Sequence, residues 1–148
     1  MTTMFHKLQT AYRDRGILLE ALFWLGVARL VILIVPFRWV EPYLGERMVE
    51  SALDQVPENP QQVQRIAWAV NRVSAYTPWQ SKCLVQALAA KRMLHSRKIV
   101  STLYLGVARL GEKKLEAHAW LRCGPLYLTG GRGHEHFTVV AMFTENAR

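Results

Sequence analysis

Cys83-Leu84-Val85-Gln86-Ala87-Leu88-Ala89-Ala90-Lys91-Arg92-Met93-Leu94 is the stretch that decides the fold, read together with Glu116-Ala117-His118-Ala119-Trp120-Leu121-Arg122 downstream. The first carries an apolar stripe at three- and four-residue steps and reads as a helix running to about Ser96. The second alternates with period two and reads as a strand. A thiol therefore opens a helix, and an imidazole lies on a strand that follows it. Unpaired N–H groups and the dipole at a helix N-terminus favour a thiolate. An imidazole within reach completes a nucleophile–base pair, with Cys83 as nucleophile and His118 as base. Each residue has a plainer reading as well. Most free cysteines are small buried hydrophobes, and a strand histidine can be a core residue with its hydrogen bonds satisfied.

Outward from this pair the chain organises itself by period. Thr2 to Val35 reads as one long helix, or two joined near Gly16, closed by Pro36 because proline disfavours helix in the residue before it. Phe37 to Tyr43 is a basic and aromatic connector, and Leu44 to Asp54 a short helix or irregular segment. Pro57-Glu58-Asn59-Pro60 is a break. Gln61 to Ala75 is a helix whose Val63, Ile66, Ala67, Val70 and Val73 share a face. Tyr76 to Ser81 is a turn, with Ser81 placed to cap the Cys83 helix. Strands are expected over Ile99–Ala108, Leu115–Arg122, Leu126–Thr129 and Phe137–Phe143, with the glycine-rich loop Gly130-Gly131-Arg132-Gly133 before the last. Helices first and an antiparallel meander last make an α+β fold, helices packed on one sheet face. The segment 1–60 is read as a helical region packed on a core formed by 61–148.

Composition narrows the function. The 148 residues are 51% hydrophobic and include five each of Trp, Tyr and Phe, enough for one sizeable core. The net charge of +8 attracts acidic partners or anionic membrane surfaces. The basic residues are scattered, without the runs or aromatic signatures of nucleic-acid binders. Two cysteines in dissimilar settings are not a disulfide framework, so the expected compartment is the reducing cytoplasm. Ile17 to Phe37 is apolar apart from Glu20 and Arg29, which lie about half a turn apart on a helix and charge opposite faces. The segment reads first as a buried or groove-forming helix. Attachment to the inner face of the membrane and a true span are the alternatives. Cys123, His134 and His136 with His118 or Cys83 offer zinc-type ligands, but no CxxC or HExxH spacing accompanies them. Gly130 to Gly133 lacks the context of a phosphate loop. No metal or cofactor is expected.

The residues from Trp79 through Ala90, then Leu103 to Val107, then Ala117-His118-Ala119-Trp120-Leu121, resemble the transglutaminase-like cysteine peptidases of lasso-peptide biosynthesis. These are stand-alone counterparts of the C-terminal domain of microcin-processing B proteins. The resemblance covers roughly Gln61 to Phe143. It implies a transglutaminase-like or papain-like fold and a cysteine peptidase that removes the leader of a ribosomally made precursor peptide, with Cys83 and His118 matching the family pair. It also implies a separate leader-recognition protein and an ATP-dependent cyclase as partners. That family usually carries an Asp about a dozen residues beyond the His. Here Leu128-Thr129-Gly130-Gly131 has no carboxylate, which leaves Thr129 as the candidate orienting residue and Glu135 only if its loop folds back. The Cys83 N–H and the Gln80 side chain are candidate oxyanion donors, and Trp79 and Trp120 candidate groove walls. The alternative is a catalytically degenerate peptide-binding or scaffolding subunit of a maturation complex.

Overall fold

The structure, a computed structural model, describes residues 2–54, 56–77 and 82–145. Helix α1 runs unbroken over Thr2–Ile34 and stops at Pro36. A single turn, α2 (Phe37–Val40), and a 3-10 turn at Glu41–Tyr43 lead into irregular chain. Helix α3 (Pro60–Ser74) begins where Asn59 accepts a hydrogen bond from the Gln62 N–H and Pro60 supplies a preset first residue. Helix α4 is Cys83–Ser96, so the thiol stands on its first residue. Ser81 and the rest of Pro78–Ser81 lie outside the described residues. The described Lys82 makes no side-chain cap.

The sheet comprises β2 (Thr102–Leu110), β3 (Lys114–Cys123), β4 (Leu126–Thr129), β5 (Thr138–Thr144) and a two-residue β1 (Glu46–Arg47). All pairings are antiparallel, in the order β1-β5-β2-β3-β4. The expected meander holds only for β2, β3 and β4. Strand β5 does not extend it past β4 but crosses back to pair with β2. A bulge between Leu105 and Gly106 adjusts that pairing. The segment 44–54, expected as a short helix or irregular chain, instead supplies the edge strand β1 and then covers one sheet face. Its backbone groups are used there: Met48 N–H bonds Met142 O, and the Thr144 hydroxyl bonds Val49 O.

Helices cover the other face. Ile17, Ala21, Leu25 and Ala28 of α1, Val63, Ile66, Ala69 and Val70 of α3, and the Val85–Leu94 face of α4 pack on Leu103, Ala119, Leu121, Leu128 and Phe143. Two partly buried ion pairs tie α1 to this layer: Asp14 with Arg65 at 2.8 Å and Glu20 with Arg97 at 2.7 Å. The Glu20 hydrogen bond raises the Arg97 guanidinium further above its ordinary value, against the opposing effect of burial. Lys91 is buried under the sheet end, bonded to Ser101 O, Phe143 O and Glu145. Burial lowers its ammonium pKa, and Glu145 opposes that shift.

Candidate active site

The pleat sorts β3 into two sets. Ala119, Leu121 and Cys123 enter the helix-covered core, while His118, Trp120 and Arg122 project from the opposite face. There the side chains make a continuous aromatic and polar layer. Trp120, 3% exposed, stacks on Tyr104 with ring centroids 5.3 Å apart and has His118 at 5.8 Å. Its ring lies over Gly106, where a Cβ would fall 2.8 Å from ring carbons. Phe137 lies 4.9 Å from the His118 ring, and His134 stacks on Tyr127 at 4.5 Å. Trp120 is therefore a packed floor to this layer rather than an accessible wall. Trp79 and Gln80 lie outside the described residues.

Arg122 is fully buried here. Its guanidinium bonds the carbonyls of Ser51 at 2.6 Å and Gly124 at 2.7 Å, the Tyr104 hydroxyl at 2.9 Å, and Glu50 at 3.4 Å. The Tyr104 hydroxyl in turn donates to Glu50. Burial, reinforced by the Glu50 hydrogen bond, pushes the Tyr104 phenol up to about 12 despite the cation beside it. This network holds residues 50–52 over the sheet. Sequence reading missed it, because nothing local to Glu50 or Ser51 points to a strand some seventy residues away.

His118 is half-buried, and its Nε2 lies 2.7 Å from Gly130 O. A carbonyl oxygen only accepts, so Nε2 donates, and Nδ1 makes no hydrogen bond among the described residues. The residue where the resemblance leads one to expect an Asp is thus the one that orients the imidazole, through its backbone. Gly130 makes the contact possible: its φ is +64°, and a Cβ there would sit 2.3 Å from Ala119 O. Thr129 does not take the orienting role. Its side chain is buried on the core side, and among the described residues its hydroxyl has no hydrogen-bond partner. Glu135 faces His134 at 3.4 Å instead.

Cys83 is part-buried and packs at the margin of the helix-side core. Lys91 fixes one turn of α4 at the start of β2 and the end of β5. Eight residues of helix back to Cys83 span about 12 Å. The chain reverses at the short loop after α4 into β2, whose Gly106 pairs with His118. Cys83 thus belongs to the helix-covered face and His118 to the opposite one, and no hydrogen bond joins them among the described residues. β4 ends at Thr129, and past it β3 from Lys114 to Ala117 pairs with β2 alone. The second cysteine differs: Cys123 is 3% exposed, and burial pushes its thiol pKa up. The zinc alternative gains no support, since no group of three His, Cys, Asp or Glu stands close enough to hold a metal among the described residues.

Comparison with known proteins agrees with this layout at the level of family. Searches of curated proteins and of solved structures find no match. The family model described as the transglutaminase-like superfamily matches residues 31–142, which begins in the last turn of α1 and takes in α3, the Cys83 helix and β2 to β5 up to Met142. With that match over most of its length, and with a cysteine-headed helix packed on an antiparallel sheet that carries the histidine, this chain belongs to the transglutaminase-like superfamily.

Proposed function

We propose that the protein is a cysteine peptidase that removes the leader from a ribosomally made precursor peptide, with Cys83 as nucleophile and His118 as base. The observation that carries this reading is the tethered imidazole. Its Nε2 is held on Gly130 O and its Nδ1 makes no hydrogen bond among the described residues, while a part-exposed thiol stands on the first residue of a helix on the other face of the sheet. In the reaction, His118 Nδ1 takes the thiol proton and the Cys83 sulfur bonds to the scissile carbonyl carbon. The carbon–nitrogen bond then breaks as the imidazolium protonates the leaving amine. Water, deprotonated by the same nitrogen, cleaves the thioester to the acid and restores the thiol. The first-turn N–H groups of α4, Cys83 included, are the natural donors to the oxyanion. The substrate class, and a leader-recognition protein and ATP-dependent cyclase as partners, rest on the sequence resemblance.

One observation favours a second reading, a peptide-binding or scaffolding subunit. Gly130 offers a neutral carbonyl where a carboxylate would stabilise an imidazolium. The deciding experiment incubates the full chain with a leader-bearing precursor and a leader-binding protein, and follows cleavage by mass spectrometry. Cys83→Ala and His118→Ala should each lower the rate by at least about a thousandfold with the circular dichroism unchanged. Undiminished cleavage by Cys83→Ala would rule out the thiol mechanism. Precursor binding with no cleavage by the wild type would leave the scaffolding role.

A further inference from the structure

Helix α1 has two apolar faces, and only one is buried. Opposite the face on α3 and α4, Leu19, Leu22, Phe23, Leu30, Leu33 and Ile34 are between 39% (Leu22) and 69% (Ile34) exposed. At about 100° per residue these six fall in one arc about 120° wide. From Gly16 to Ile34 that arc holds no charged residue. Glu20 and Arg29 do not divide the apolar surface, as their half-turn separation suggested from sequence. They sit on its two borders, and the Glu20 carboxylate is held by Arg97 on the protein side. By length and composition the segment Tyr12–Ile34 is apolar enough to cross a bilayer. Its other face is nevertheless committed to α3 and α4, and the Asp14–Arg65 and Glu20–Arg97 pairs anchor it there.

The ends of the stripe carry the chemistry of a water–lipid boundary. Tyr12 stands exposed at one end beside exposed Arg13 and Arg15, and Trp39 and Tyr43 at the other beside exposed Arg38. Amphipathic rings and cations are what favour the headgroup layer. We propose that this stripe docks the protein side-on onto an anionic lipid bilayer. Helix α1 then lies in the plane of the headgroup boundary, with its apolar arc among the acyl chains and its inner face still on the domain. A second copy of the chain is the less suitable occupant. Pairing two such faces would bring arginine-rimmed surfaces of a +8 protein together, whereas anionic headgroups supply the opposite charge.

The test is flotation of the full chain with vesicles of equal parts phosphatidylglycerol and phosphatidylcholine, against phosphatidylcholine alone. The protein should float with the anionic vesicles and much less with the neutral ones, the difference shrinking at high salt. Phe23→Gln with Leu30→Gln, both exposed positions, should lower the partition coefficient at least about tenfold. Leu19→Gln with Leu33→Gln should do the same, guarding against a local folding defect in either pair. Absence of flotation, or flotation indifferent to both pairs, overturns the proposal. So does a dimer in sedimentation that the same substitutions dissolve without any vesicle binding, which would identify a second copy as the occupant. Resistance of the cell-expressed protein to alkaline extraction overturns the side-on geometry in favour of a span. Peptidase activity is not the readout, so failure here is separate from failure of the catalytic reading.

Discussion

Gly130→Ala tests how the site is held together. The residue has φ +64°, and an added Cβ would come 2.3 Å from Ala119 O and 3.1 Å from His118 Nε2. The left-handed backbone costs a non-glycine residue about 1–2 kcal/mol. The overlap with a strand carbonyl cannot be relieved by a rotamer change, and overpacking of this kind costs about 1–3 kcal/mol. If the chain relieves it by moving Gly130 away, the bond to His118 is lost, a further ~1 kcal/mol. The expected destabilisation is about 3–6 kcal/mol, a large part of the roughly 5–15 kcal/mol that holds a domain folded. Urea unfolding followed by circular dichroism measures it. Histidine nitrogen NMR on whatever fraction stays folded reads the second consequence: His118 should lose its fixed Nε2–H form and populate both tautomers. A midpoint shift worth less than about 1 kcal/mol, or an unchanged tautomer, would refute the account of Gly130 as the tether.

Two further outcomes follow from the burial of particular groups. Native protein treated with a thiol reagent should modify part-exposed Cys83 and spare Cys123 until denaturant is added; mass mapping that finds Cys123 modified first would contradict the packing. The Tyr104 phenol, raised from 10.0 to about 12, favours its neutral form in the folded state. Its contribution to stability is therefore complete below pH about 10 and falls as pH rises toward about 12, because the unfolded chain releases that proton earlier. A phenolate absorbance titration of wild type minus Tyr104→Phe should show a midpoint near the upper value, and a midpoint at 10 would overturn it.

How far the chain could be read in advance depended on the range of the forces involved. Helix α4 was legible from Cys83 to Ser96, and α3 to within a residue at each end, because apolar period and the proline break at 57–60 act within a turn or two. Strand β3 was legible because alternation is local. Strand β1 was not, since Glu46 and Arg47 have no strand pattern and pair with Thr144 and Phe143 from far along the chain. The crossing of β5 onto β2 was equally hidden, because each strand alone looks the same whichever neighbour it takes.

The candidate site divides the same way. Residue types and spacing were enough to place Cys83 at the head of a helix and His118 on a strand. Which atom orients the imidazole was decided by tertiary structure alone. A backbone carbonyl carries no side-chain signature, and Gly130 reaches His118 only because a left-handed glycine at the end of β4 turns against Ala119. The two faces of α1 show the same divide: hydropathy identifies an apolar helix, but only packing against α3 and α4 determines which half of it is left facing outward.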